Sequence, residues 1–324
     1  MKAETGKNGP LVSVVIPTFD RPDYLRLALN TAVTQTYDNL EIIVRDNASQ
    51  QDIAKLVADF NDPRILYTRN DRNIGQTRNI MAALKEASGK YVALLGDDDL
   101  WSMDFIDSLL APMEAHPNVV VCFCDHEVID ANGRVDVSTT DDWTRRFGRR
   151  LLRAGVVRDL EEIALMHRSI CIMSGALIRR EPIAWSTLPD VLPSNVDVFI
   201  SYLLTMVGMQ GYYVPKRLMQ YRRHPGQQMT ADHAKRDENR RWNIHFWAAF
   251  AQDPRIRNRP YFKCVCARKA LMILISRIAE RNFDGIAADL RVFYRIGLFD
   301  PRIIYYHAYY LVRLRLQGSN RFVP

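Results

Sequence analysis

Apolar and polar positions alternate along the first 125 residues in blocks of two kinds. "LVSVVIP" (11–17) is a short β-branched run ended by proline, which reads as a buried strand. "PDYLRLALNTAVTQT" (22–36) has helical spacing instead. Leu25, Leu29, Ala32 and Val33 share one face, and Pro22 opens the helix, where its missing N–H costs nothing. The two rhythms then repeat. The pattern predicts strands over 40–46, 64–69, 90–95 and 118–125, and helices over 51–60, 74–89 and 102–116, with Gly89 closing the second of these helices. Strands that alternate with helices through short connections make a mainly parallel sheet covered by helices on both faces.

Such sheets bind ligands beyond the carboxyl ends of their strands. Here those ends run into "PTFD", "RDNAS" and "GDDD", all rich in acids or small polar residues. After residue 125 the rhythm changes. "DANGRV" (130–135) holds an Asn-Gly turn signal, 170–181 reads as a strand, 195–208 as a helix, and "GYYVP" and "LMQYRRH" as two short strands. From about Thr230 the chain is helical in pattern, basic and aromatic, which sets a soft boundary: a polar tail over 1–10, a sheet-bearing domain over 11–229 and an extension over 230–324.

Composition adds little to this. The chain of 324 residues is 48% hydrophobic and 25% charged, an ordinary globular balance. Its formal charge of +7 favours anionic partners only weakly, and no nucleic-acid-binding motif accompanies it. The polar start "MKAETGKNGP" does not read as a signal peptide, and no apolar run approaches the roughly 18 residues of a membrane span, so a cytoplasmic chain is expected. Five cysteines without a C-x-x-C pair suggest plain thiols rather than a zinc site or a disulfide framework.

The candidate chemistry begins at "YVALLGDDDLW" (91–101), where a core strand ends on Asp97, Asp98 and Asp99. A helix cap needs one acid, not three. Grouped carboxylates at a strand end hold a hard divalent cation, Mg²⁺ or Mn²⁺, whose remaining ligands are water and phosphate oxygens. A solvated acidic turn is the plainer alternative. No glycine-rich phosphate loop is present, so phosphates would be held by the metal and by cationic side chains.

"VSVVIPTFDRPDYLRLAL…QTYDNLEIIVRDNAS", "RNIGQTRNIMAAL" and "GKYVALLGDDDLW", in that order and spacing, resemble glycosyltransferase family two over about Val12 to Thr230. The resemblance implies a GT-A fold: a Rossmann-like, mainly parallel α/β sheet flanked by helices, with a C-terminal helical extension. It divides the domain into a nucleotide-binding half (11–125) and an acceptor-binding half (126–229). It further implies an inverting, metal-dependent hexosyltransferase that uses a nucleotide-sugar donor, in polysaccharide biosynthesis. Pro17, Thr18 and Phe19 would line the nucleoside pocket, Asp46 would accept the imide N–H of uracil, and Arg78 would reach the base or diphosphate. Asp97 would lie nearer the ribose and Asp98 on the metal and diphosphate, with Asp99 beside both as a further metal ligand.

Inversion requires a carboxylate opposite the leaving group to take the acceptor's proton. The family position for it is Asp197 in "PSNVDVFISYLL"; Ser194 and Asp197 are also spaced as a variant capping box. In "YRRHPGQQMT" (221–230), His224 is the candidate third metal ligand, and Arg222 or Arg223 would neutralise the leaving group. Asp125 is a weaker candidate for the donor sugar. Phe19, Arg45 and Gly96 depart from the family pattern; Gly96 leaves the metal-facing acids intact, while the first two bear on the base, so UDP is favoured over other nucleotides rather than fixed.

The tail interleaves basic, aromatic and apolar residues, as in "YFKCVCARKALMILISRIAERN". It reads either as an amphipathic surface on an anionic bilayer, where lipid-linked acceptors reside, or as helices that pack on the catalytic unit or form a homodimer. Two other functions compete with glycosyl transfer to a glycan or lipid-linked glycan: a non-catalytic nucleotide-sugar-binding module, and a nucleotidyltransferase on a related sheet.

Overall fold

The structure is a computed structural model of the chain; it describes residues 9–171, 173–185, 196–226, 248, 250–279 and the single positions 291, 294, 301, 305 and 308. The chain divides into two units, Met1–Gln227 and Gln228–Pro324.

The first unit begins β1 (Val12–Thr18), α1 (Pro22–Val33), β2 (Leu40–Asp46), α2 (Ile53–Ala58), β3 (Ile65–Arg69), α3 (Gln76–Glu86) and β4 (Tyr91–Leu94). All seven residues of β1 are buried, because β2 and β4 flank it in parallel and helices cover both faces. That explains a strand with no polar alternation. β3 extends the parallel set beyond β2. There follow β5 (Leu100–Trp101), α4 (Phe105–Ala115), β6 (Val119–Ile129), α5 (Val137–Arg146), β7 (Gly155–Val157), β8 (Ala176–Arg179), α6 (Val196–Met206) and β9 (Gln210–Arg222). Among the described residues the sheet order is β3-β2-β1-β4-β8-β6-β9-β5, with β7 beside β9.

β8 is antiparallel to both β4 and β6, so two reversals leave β6 and β9 pointing the same way as β1 to β4. The ends of β1, β2, β4, β6 and β9 therefore meet along one edge. Leu25 and Leu29 of α1 and Phe105, Ile106 and Leu109 of α4 pack into the core with the sheet. Each such side chain contributes roughly 1.5–3 kcal/mol by burial.

Several expectations change. The two short strands expected after 210 are one strand, β9. Pro215 suggested a break, but it falls at a register shift against β6 between Cys124/Val214 and Asp125/Arg217. A bulge there tolerates its missing N–H. The strand expected over 118–125 runs on to Ile129, since its polar last residues continue the ladder to β9. The strand expected over 170–181 shortens to β8: Ser174 has φ 68° and Gly175 N–H bonds Cys171 O at 3.0 Å, which makes a turn. Gly89 does not close α3, which ends at Glu86. A Cβ at Gly89 would come within 2.8 Å of Leu11 O, so close backbone approach demands glycine. α5 escaped the pattern because Thr140 alone on it is fully buried. Ser194 and the expected start of the helix at 195 lie outside the described residues.

In the second unit, α7 (Arg259–Ala279) lies within the basic aromatic segment, and Phe250 packs edge-on to Phe262 at 5.7 Å. Most of the extension is outside the described residues. Among those described, no helix is long and apolar enough to cross a membrane. All five cysteines are free; Cys264 is exposed, while Cys122, Cys124 and Cys266 are buried.

Candidate active site

The three acids after β4 point in different directions and meet different partners. Asp97 Oδ2 accepts from Thr18 Oγ1 at 2.9 Å, which ties the ends of β1 and β4 together. Arg21, at the entry to α1, donates from Nη1 to Asp98 Oδ2 at 2.9 Å and to Asp97 Oδ1 at 3.3 Å. His224 Nε2 lies 3.0 Å from the same Asp98 Oδ2. Asp99 faces the protein. Its Oδ2 accepts from Ser174 Oγ at 2.6 Å and its Oδ1 from Arg222 N–H at 3.0 Å. Asp99 thus pins β9 and the turn before β8 to the triplet, where the sequence placed it on the metal beside Asp98.

Burial first, and the adjacent Asp98 second, raise the carboxyl of Asp97 to about 6, against Arg21, the Thr18 hydroxyl and the Phe19 N–H. The same two causes hold Asp99 well above the usual carboxylate range. The triplet is therefore short of positive charge. Among the described residues no group of three His, Cys, Asp or Glu converges as a ready-made metal centre. The donor set nevertheless suits a divalent ion. Asp98 Oδ2 is shared by Arg21 and His224, and Arg21 bridges Asp98 to Asp97.

Arg222 is 2% exposed and structural in its contacts. Nε donates to Asp98 O at 2.8 Å, Nη1 reaches the carbonyls of Asp130 and Ala131 at 3.3 Å, and the guanidinium lies 5.1 Å from the Tyr24 ring centre. Arg223 has an exposed side chain whose field acts on Asp136, the N-cap of α5.

On the nucleoside side, Pro17 and Thr18 are buried at the end of β1, while Phe19 is 40% exposed and Arg78 is exposed on α3. Asp46 is fully buried. Its Oδ1 accepts from Ser49 N and Oγ, and its Oδ2 accepts from the Tyr67 hydroxyl at 2.9 Å and forms an ion pair with Arg69 Nε at 3.2 Å. A carboxylate offers about four lone-pair directions, and Ser49 and Tyr67 take three of them. Asn70 links Asn47 and Asn79 by hydrogen bonds of 3.0 and 2.7 Å, which fixes the loop between β3 and α3.

Asp197 sits in the first turn of α6 and accepts from Arg168 Nη2 at 3.1 Å, with both side chains partly exposed. Burial first, then Asp99, Cys171, Asp98 and Asp197, raise the hydroxyl of Tyr221 above its usual range. Burial also pushes the Cys171 thiol up to about 12, with Asp99 and Asp197 adding to it. Asp99 and Asp197 thus both act on these two side chains. Asp125, along β6, forms a buried pair with Arg149 Nε at 2.7 Å and accepts from Thr144 Oγ1 at 2.9 Å.

The family model described as "Glycosyl transferase family 2" matches residues 13–183, just over half of the chain. The chain belongs to glycosyl transferase family 2. Among curated relatives, this family 2 chain is 35% identical over 107 residues to the putative colanic acid biosynthesis glycosyl transferase WcaA of Escherichia coli, covering 32% of this chain and 38% of the relative. It is 29% identical over 125 residues to the E. coli UDP-Glc:alpha-D-GlcNAc-diphosphoundecaprenol beta-1,3-glucosyltransferase WfgD, covering 39% and 49%. The matched segment spans less than half the length of either relative. Among solved structures, the mannosyltransferase PcManGT of Pyrobaculum calidifontis, in complex with GDP-Man and Mn²⁺, aligns at a TM-score of 0.56 with 18% identity, over 97% of this chain and 88% of that one. Residues 1–349 of S. aureus TarS with UDP-GlcNAc align at 0.57 and 16% identity, over 88% and 92%. These likenesses establish the GT-A fold.

In this family 2 site, sequence reasoning missed Arg21, Ser174, Arg149 and the pair Tyr67 and Arg69. Arg21 had a signal: a cation directly before the helix-opening Pro22, on the loop beyond β1. Arg149 had none, because it opens a single 3₁₀ turn (Arg149–Leu151), too short to show periodicity.

Proposed function

We propose that this family 2 chain is an inverting, metal-dependent glycosyltransferase that moves one sugar from a nucleotide-diphosphate sugar, favouring UDP, to a hydroxyl of a glycan or lipid-linked glycan. The observation that carries the proposal is the clustering of Asp97, Asp98, Arg21 and His224 at the carboxyl ends of the strands. UDP and a diphosphoundecaprenol-linked acceptor are named for WfgD, which supports the donor and acceptor classes. The PcManGT complex with GDP-Man and Mn²⁺ supports the metal.

Asp98 and His224 would hold a Mg²⁺ or Mn²⁺ ion, with Asp97 toward the ribose and Asp99 bracing the turn behind them. When bound, the ion supplies positive charge to the departing diphosphate. Pro17, Thr18 and Phe19 would line the nucleoside pocket and Arg78 would approach the base or diphosphate. Asp46 would read the base edge once Arg69, whose side chain is 54% exposed, yields its place. The acceptor oxygen then bonds to the anomeric carbon as the bond to the diphosphate oxygen breaks, and Asp197 takes the hydroxyl proton. Asp125, held by Arg149, would face the donor sugar from β6. Arg222 would orient the triplet through Asp98 O, and Arg223 would add positive charge at the rim. The proposal places the chain in the cytoplasm, with its basic C-terminal extension at the inner membrane face or at a homodimer contact.

A thermal-shift panel of nucleotide-diphosphate sugars with and without Mn²⁺ tests this. A ligand at 100 times its Kd adds about 2.7 kcal/mol, which raises Tm by roughly 5–11 °C for a unit of this size. We expect such a shift from a UDP-sugar with Mn²⁺ and none without it. A panel with no shift for any donor would refute the proposal.

A further inference from the structure

We propose that Arg21 is a built-in counter-cation: it occupies the divalent ion's place at Asp98 until the ion arrives, and leaves when the ion binds. The inference rests on the metal-dependent reading above and adds a residue that reading does not use.

Arg21 Nη1 bridges the two acids, at 3.3 Å from Asp97 Oδ1 and 2.9 Å from Asp98 Oδ2. The Asp98 oxygen that it contacts is also the one His224 approaches, at 3.0 Å. A metal held by Asp98 and His224 and the Arg21 guanidinium therefore compete for one oxygen. The acids are largely buried, with side chains 9% and 14% exposed, whereas that of Arg21 is 26% exposed. The acids are fixed by the strand end and the cation is the member that can move. Its position in the chain fits: Arg21 precedes α1 on the loop beyond β1, and its own side chain makes no capping bond to the helix. Arg21 Nη2 also donates to Gly226 O at 2.7 Å. Its departure thereby frees the segment that carries His224, in the same event that brings a metal to His224.

Like charges held together in a buried site are costly without a partner. A guanidinium supplies that partner at a single charge, and a divalent ion replaces it at double charge. A competitor tethered in place weakens the ion's apparent affinity. Removing it strengthens that affinity, which is the opposite of what loss of a merely structural ion pair does.

The test is Mn²⁺ binding to the full chain without nucleotide, read by the electron-paramagnetic-resonance signal of free Mn²⁺. Wild type, Arg21→Ala, Arg21→Lys and Asp98→Ala are compared, and circular dichroism confirms that each is folded. We expect Arg21→Ala to bind Mn²⁺ about tenfold tighter than wild type, Arg21→Lys to stay near wild type, and Asp98→Ala to lose binding. Arg21→Gln serves in place of Arg21→Ala if the alanine variant does not fold. Unchanged or weaker Mn²⁺ binding in the Arg21 variant, with Asp98→Ala still abolishing it, would overturn the role of Arg21 and leave the metal site standing. Absence of Mn²⁺ binding in every variant, wild type included, would overturn both.

Discussion

Replacing Arg149 by methionine removes a charge from a place solvent does not reach. The Arg149 side chain is 1% exposed and that of Asp125 is 9% exposed. Besides its 2.7 Å bond to Asp125, Arg149 donates to Ser169 O at 3.1 Å. Methionine keeps most of the aliphatic length, so the cavity is small and the electrostatic loss dominates. Asp125 keeps Thr144 Oγ1 and the His126 N–H, each at 2.9 Å, but has no counter-charge left from Arg149. Removing one partner of a buried pair costs about 3–5 kcal/mol. The expected loss is therefore about 3–5 kcal/mol, or roughly 6–20 °C in Tm. Urea unfolding at pH 7, followed by tryptophan fluorescence, measures it. A further reading follows from the same cause: adding Asp125→Asn to Arg149→Met recovers about 2 kcal/mol. A single variant within about 1 kcal/mol of wild type, or a double variant as unstable as the single, would refute the reasoning.

The remaining predictions concern the triplet. Burial first, with Asp98 second, raises Asp97 to about 6 in the folded chain, so its contribution to stability is full below about pH 4, where the unfolded chain also holds the proton. That contribution is lost as pH rises from about 4 to 6, and a Tm-against-pH series on metal-free wild type and Asp97→Asn should show the fall in the former and a flatter curve in the latter. Mn²⁺ requires the ionised carboxylates, so its affinity should drop as pH falls below 6, measured by titration at fixed ionic strength. A Cβ at Gly96 would lie 3.0 Å from Asp99 Oδ2 and 3.2 Å from Asp98 Oδ1; Gly96→Ala should weaken Mn²⁺ binding several-fold while the fold, read by circular dichroism, survives. Ser174→Ala removes the donor to Asp99 and the acceptor for the Gly96 N–H, and should cost about 1–3 kcal/mol in urea unfolding.

The parallel half of the sheet was legible because its strands are buried on both faces and read as unbroken apolar runs, as in Val12 to Ile16. The triplet stood out for the opposite reason, since three acids at a strand end have no place in a core. The second half was less legible. Pro215 disguised one strand as two, because a bulge is invisible in the pattern, and α5 buries too little to show a stripe. Side-chain commitments were also hidden. The sequence marked Asp46 and Asp99 as free to bind a ligand, yet Ser49, Tyr67 and Arg69 hold the first, and Ser174 and Arg222 the second. Ser49 is a near neighbour of Asp46, but the other partners lie far along the chain, where only the folded sheet brings them close. Arg222 likewise looked like a charge for the leaving group, and its bonds to three backbone carbonyls give it work in the loop instead.

The most direct test of the account is the release of nucleoside diphosphate from the donor found in the panel, with Mn²⁺, by wild type and Asp197→Asn. Asp197→Asn removes the proposed proton acceptor and leaves the triplet, Arg21 and His224 intact. The account predicts that release falls about 10²- to 10⁴-fold, while metal-dependent donor binding stays close to wild type. Release at the wild-type rate by Asp197→Asn would contradict it.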